Sequence, residues 1–214
     1  MNIKKILLIL LLILGLSGCV NLKNLDYDDI VNGISSKPKN ANTFKSGYQF
    51  YVPRGLHVES SGTNYTILSG NDVNYYLYVD LVSYNESKDF VFEHSTNSLY
   101  SKYIKFEDKK GYVEINLWEN NQYLIEIMYN YAKIEVMVEE SLTNKALANA
   151  VNILNSVKYN DLIIENLLAD DNLTYTEEIF DLFEEAKDNS NILDYENSNE
   201  EVDDEEIVDT DFIN

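Results

Sequence analysis

The 214 residues include one cysteine (Cys19), two histidines (His57 and His94), one tryptophan (Trp118) and 17 tyrosines. These are the side chains able to attack, relay a proton, ligate a metal or stack on a ligand. A zinc site needs three or four His, Cys or carboxylate ligands at characteristic spacing. No His-Glu-x-x-His occurs, and the two histidines lie on separate segments. No metal and no cofactor is therefore expected. Gly-x-x-x-x-Gly-Lys, Gly-x-Gly-x-x-Gly and Gly-x-Ser-x-Gly are missing too, which leaves no phosphate loop and no nucleophile elbow. A single cysteine forms no internal disulfide. An enzyme would have to assemble its site in the fold, with His57, His94, Glu114 and Glu126 as the groups to inspect. Carboxylate pairs such as Glu139-Glu140 and Asp28-Asp29 read as solvated faces. The aromatic set Tyr75, Tyr76, Tyr78, Trp118 and Tyr123 has the apolar body and polar tip that suit an interface. Strands also favour these residues in their cores.

The amino terminus carries the most specific pattern. Lys4 and Lys5 precede eleven residues, 6–16, that are apolar apart from Gly15. At about 1.5 Å per residue, such a helix spans roughly half of a bilayer core of about 30 Å. It suits the apolar region of a signal peptide and is too short for an ordinary membrane span. Leu16-Ser17-Gly18-Cys19 follows and resembles the lipobox of bacterial lipoproteins. The resemblance implies cleavage between Gly18 and Cys19 and a diacylglyceryl group on the Cys19 thiol. It also implies further acylation, such as palmitate, on the new amino terminus. One acyl chain holds only marginally and two or three give lasting attachment. The mature chain is then expected at the outer face of a cell membrane, anchored without spanning it.

The net charge is −21 and the isoelectric point about 4.2, which excludes the basic surface that nucleic acid requires. The acidity is concentrated: residues 170–214 carry 18 acidic residues against the single Lys187. Such a block repels itself and stays solvated. Within it, Thr174-Tyr175-Thr176-Glu177 has the form of a capping box. Ile179, Leu182, Phe183 and Ala186 then make an apolar stripe, predicting a short helix over 174–187. Those residues could dock on their own domain or on a partner. Disorder is expected beyond. The run 200–206 would attract Ca²⁺ loosely, but the spacing of an EF-hand loop is absent.

The chain therefore divides into a signal peptide (1–18), a lipid-anchored tether (19–46), a folded domain (47–169) and an acidic tail (170–214). Within the tether, 25–34 predicts a short helix with Ile30, Val31 and Ile34 on one side. In the domain, alternation predicts strands over 48–52, 56–59, 65–68 and 73–84. It predicts three more over 111–118, 123–129 and 133–138, joined by short Asn-containing links that favour antiparallel neighbours. Residues 85–98 are polar and ambiguous. Over 141–157, Ala146, Leu147, Ala150, Val151, Leu154 and Val157 recur at helical spacing, with Thr143 as the expected cap.

An α+β fold follows: an antiparallel sheet with a packed C-terminal helix. The stretches Tyr48-Gln49-Phe50-Tyr51-Val52-Pro53-Arg54-Gly55 and Ile153-Leu154-Asn155-Ser156-Val157 resemble the opening strand and closing helix of PsbP-like domains. That resemblance implies an α/β/α sandwich. The tyrosine-rich stretches also resemble lipoproteins of low-GC Gram-positive bacteria, which implies a location and no activity. The leading functional expectation is a non-enzymatic extracytoplasmic module that binds a protein or small ligand, or assists envelope assembly. An envelope enzyme and a Ca²⁺-responsive surface protein are the alternatives.

Overall fold

After α1 (Tyr27–Val31), which runs into a 3-10 turn (Asn32–Ser35), the chain lays down β1 (Thr43–Lys45) and β2 (Tyr48–Phe50). Then come β3 (His57–Ser61), β4 (Tyr65–Gly70), β5 (Val73–Val79) and the short helix α2 (Leu81–Asn85). A meander follows: β6 (Tyr100–Phe106), β7 (Lys109–Leu117), β8 (Gln122–Tyr129) and β9 (Ala132–Glu139). The long helix α3 (Thr143–Asn155), β10 (Lys158–Tyr159) and α4 (Asp161–Ala169) complete the body. This is a computed structural model, and it describes Leu22, residues 25–92 and residues 94–169. The expected leader, Cys19, and the tail with Ile179, Leu182 and Phe183 lie outside the described residues.

The fold is α+β. Seven strands form one antiparallel sheet in the order β3-β4-β5-β9-β8-β7-β6, and β1-β2-β10 form a smaller antiparallel sheet. Two-residue hairpins set the register. Asn71-Asp72 and Asn130-Tyr131 both adopt positive φ (54° and 60°; 51° and 63°). That is the type I′ geometry whose twist matches the strands it joins. Gly111 needs to be glycine for a different reason: a Cβ there would sit 2.0 Å from the Met128 carbonyl oxygen of the paired strand.

Alternation delivers one face of the large sheet to the core. Tyr75, Leu77, Val113, Ile115, Ile125, Ile127, Ile134 and Val136 are all 0–2% exposed. The helical stripe Ala146, Leu147, Ala150, Val151 and Leu154 packs on the same core, and Val157 joins it. Full burial of an aliphatic side chain contributes about 1.5–3 kcal/mol as an upper estimate, so this layer dominates the stability.

Three local expectations are corrected. The strand expected over 73–84 ends at Val79, because the Asp80 carboxylate accepts the Ser83 N–H at 2.8 Å and caps α2. Thr143 is not the cap of α3. Leu142 occupies that position, and the Thr143 hydroxyl donates back to the Glu140 carbonyl at 2.9 Å. The third concerns the tether. Ile30, Val31 and Ile34 do share one side, but they are 5%, 1% and 3% exposed and belong to the main core. Asn144 donates to the Leu25 carbonyl at 2.8 Å and Asn155 to the Ser36 carbonyl at 3.0 Å, pinning this segment along α3. The body thus begins at α1 and not at residue 47. Among the described residues no helix is long and apolar enough to cross a membrane.

Candidate functional site

The aromatic set expected as an interface is divided by the pleat. Tyr75 faces the core at 2% exposure, and its hydroxyl accepts from Asn149 at 3.0 Å. Tyr123 shares that face and packs at the core margin. Tyr76 and Tyr78 lie on the opposite face, half-buried, and Trp118 stands just beyond β7. They do not form one surface.

Three of the four residues named for an assembled enzyme site do come together. They are His94, Glu114 and Glu126; Glu114 and Glu126 stand in a row of direct cross-strand neighbours with Glu135, on β7, β8 and β9, on the face away from α3. Like charges opposed in this way repel, and each has an answering group. Lys133 pairs with Glu135 at 2.9 Å, both side chains nearly out of solvent. The Tyr112 hydroxyl donates to Glu126. The Ser101 hydroxyl donates to Glu114 at 3.0 Å, as does the Ser95 N–H at 3.2 Å. His94 joins through its Nδ1, 3.0 Å from the Ser101 oxygen. This order is the reverse of a nucleophile relay, in which His sits between Ser and the carboxylate. Here serine is the middle group and its proton points at Glu114. His57 is on β3, an exposed edge strand, far along the sheet order.

A second constellation was not foreseen. A groove of about 470 Å³ opens where α2, the β6–β7 turn, the β8–β9 turn and α4 meet. Tyr84 and Tyr131 line it, with Asp108, Asp161, Glu165 and Asn130. Local rules place each. The Asp80 cap starts α2 and so presents Tyr84. The type I′ turn puts Tyr131 at its second central position. Asn160 accepts the Ile163 N–H at 3.2 Å and starts α4, which sets Asp161 and Glu165 one turn apart on a single helix face.

The rings are held firmly. Tyr84 and Tyr131 meet at 82° with centroids 5.7 Å apart, and Tyr159 stacks on Tyr84 at 3.8 Å and 20°. The Tyr84 hydroxyl donates to Asp161 at 2.8 Å, and the Tyr159 hydroxyl to the Asn130 carbonyl at 2.6 Å. Burial, then the nearby Asp161 carboxylate, pushes Tyr84 up to about 12. Burial raises Tyr131 as well, with Asp89 and Asp80 adding to it and Lys110 opposing. The phenols therefore remain neutral at physiological pH beside several carboxylates.

A narrower cavity of about 170 Å³ adjoins the groove, sharing Ser87, Asp108, Asn130 and Tyr131, and is bordered by Lys88, Lys109 and Lys110. Lys110 is bound to both oxygens of Asp89, at 2.9 and 2.8 Å, and Lys88 pairs with Glu86 at 3.0 Å. Among the described residues no group of three His, Cys, Asp or Glu could hold a metal ion. No protein-family model matches the chain, and no curated protein matches it.

Proposed function

We propose that this chain is a lipid-anchored extracytoplasmic binding module. Its ligand is held in the groove between α2, α4 and the two hairpin turns. Leu16-Ser17-Gly18-Cys19 supports the location. The observation that carries the binding half is the groove itself. Its volume falls in the range of about 300–1,000 Å³ usual for small-molecule sites, and four separate elements supply its walls. The short distance from Cys19 to the body fits the same reading. Only seven residues, 20–26, separate Cys19 from Tyr27, the first residue of α1. Fully extended they reach at most about 25 Å. A lipid on Cys19 would hold the domain close to the headgroups.

The test is fractionation with surface proteolysis. The wild-type chain should sediment with membranes and be shaved by protease added outside the cell. Cys19→Ser should keep its leader and lose lipid-dependent attachment. A Cys19→Ser chain processed and attached like the wild type would contradict the proposal.

An envelope enzyme has one observation in its favour, the convergence of His94, Glu114 and Glu126 on one face. The order of the hydrogen bonds weighs against it, and neither cavity described above is lined by these residues.

A further inference from the structure

Resting on that reading of the groove, we infer that its ligand carries an organic ammonium group, of the choline type or an alkylated amine. Three features of the groove point the same way. Two neutral phenol rings of the lining, Tyr84 and Tyr131, meet nearly perpendicular in an edge contact, with Tyr159 stacked on Tyr84. The negative face of an aromatic ring attracts a cation within about 6 Å of its centroid, and alkylated ammonium groups are the ligands that aromatic cages select. The lining of the larger groove includes three carboxylates, Asp108, Asp161 and Glu165, and no lysine or arginine. Asp161 and Glu165 are spaced as i and i+4 on α4, an arrangement that is unfavourable for like charges without a cation between them.

The alternatives fit less well. An anion would meet three carboxylates in the larger groove, and on the narrow side two of the three lysines are already paired with Asp89 and Glu86. A bare metal ion needs converging oxygen ligands at about 2.0–2.6 Å, and these carboxylates do not converge in that way. A bulky, weakly hydrated cation requires no such convergence. It needs aromatic surface for its alkyl groups and diffuse negative charge around them, and the groove lining includes two tyrosines and three carboxylates. The ring pair is also rigid, since Tyr84 is fixed by Tyr159 on one side and by Asp161 through its hydroxyl. Little side-chain freedom remains to be lost on binding, which favours affinity.

The experiment is an NMR titration of the full chain in a non-ionic, choline-free detergent. The probes are choline, tetramethylammonium, calcium chloride and 3,3-dimethylbutan-1-ol, the uncharged shape analogue of choline. Choline and tetramethylammonium should shift the ring resonances of Tyr84 and Tyr131 and the amide of Asn130. The uncharged analogue should bind about tenfold more weakly or worse. Asp161→Asn combined with Glu165→Gln, which preserves shape and the acceptor for Tyr84, should weaken choline binding by about three- to tenfold. Tyr131→Leu should weaken it similarly while Tyr131→Phe, which keeps the ring, restores it. A merely structural role for Tyr131 would not separate those two variants. Dispersed amide spectra of each variant report that the fold is intact.

Three results would overturn the inference. If the uncharged analogue shifts the same resonances as strongly as choline, the groove binds but the cation class is wrong. If calcium alone shifts them, the site is ionic and the rings are incidental. If no probe shifts them, the ammonium class is wrong, and the groove's role in binding must then be tested with other ligands.

Discussion

Ser156 shows how much one polar side chain can hold. It is fully buried at the end of α3, where its hydroxyl donates to the Ile153 carbonyl at 2.6 Å and accepts the Tyr51 N–H at 2.7 Å. It joins the closing helix to the residue that follows β2, the central strand of the small sheet. Ser156→Ala leaves a part-buried backbone N–H unanswered, which costs about 1 kcal/mol or more. Chemical denaturation should show that loss with an unchanged slope. A change within a few tenths of a kcal/mol would mean that Tyr51 finds another acceptor. The tyrosines make a second prediction at this scale. Tyr84 and Tyr129 are both raised to about 12 from 10.0, chiefly by burial, and burial holds Tyr159 well above 10.0 as well. Unfolded tyrosine ionises near 10, so above that pH the unfolded chain loses protons that the native chain keeps. The stability from these groups is complete below pH 10 and is lost as pH rises through the native values. Denaturation midpoints should therefore fall steadily above pH 10. Ultraviolet titration should show these phenols ionising late, together with unfolding.

At the scale of elements, α1 is where sequence and structure diverge most usefully. Its helical spacing was legible, as was the side carrying Ile30, Val31 and Ile34. Its membership of the core was not, because a five-residue helix followed by Ser35-Ser36-Lys37-Pro38 has the composition of a linker. Removing residues 1–35 deletes three nearly buried aliphatic side chains, each contributing about 1.5–3 kcal/mol as an upper estimate. The truncated chain should melt far below the full one or fail to fold. A truncation beginning at residue 25 should keep nearly all its stability. Equal melting of the two would make this segment a spacer after all. The other elements follow the same logic. Strands β7, β8 and β9 and helix α3 were readable because each buries one face and shows its period. Strand β6 was not, since only Ile104 is buried in it and an edge strand gives little alternation. Helix α2 was hidden because Leu81, Val82 and Tyr84 continue the apolar run of β5. Only Asp80, as a cap, argued for a break.

The whole molecule explains why a location can be proposed from the sequence and the site cannot. The lipobox is contiguous, so four residues suffice to suggest it. The groove draws Tyr84, Asp108, Tyr131, Asp161 and Glu165 from four segments spread over some 80 residues. No local pattern marks them, and Tyr84 and Tyr131 are two among 17 tyrosines. Their meeting depends on the type I′ turn at Asn130-Tyr131, the β6–β7 turn, a capped short helix and the packing of α4 through the fully buried Ile164. With α1 built into the body, only seven residues separate Cys19 from the fold, and the proposed account places an ammonium-binding groove close to a membrane surface. Everything about its setting depends on the modification of one thiol. Intact mass analysis of the chain extracted from bacterial membranes tests that most directly. The account predicts loss of residues 1–18 and an added diacylglyceryl group on Cys19. A chain retaining Met1 or its leader, with Cys19 unmodified, would contradict it.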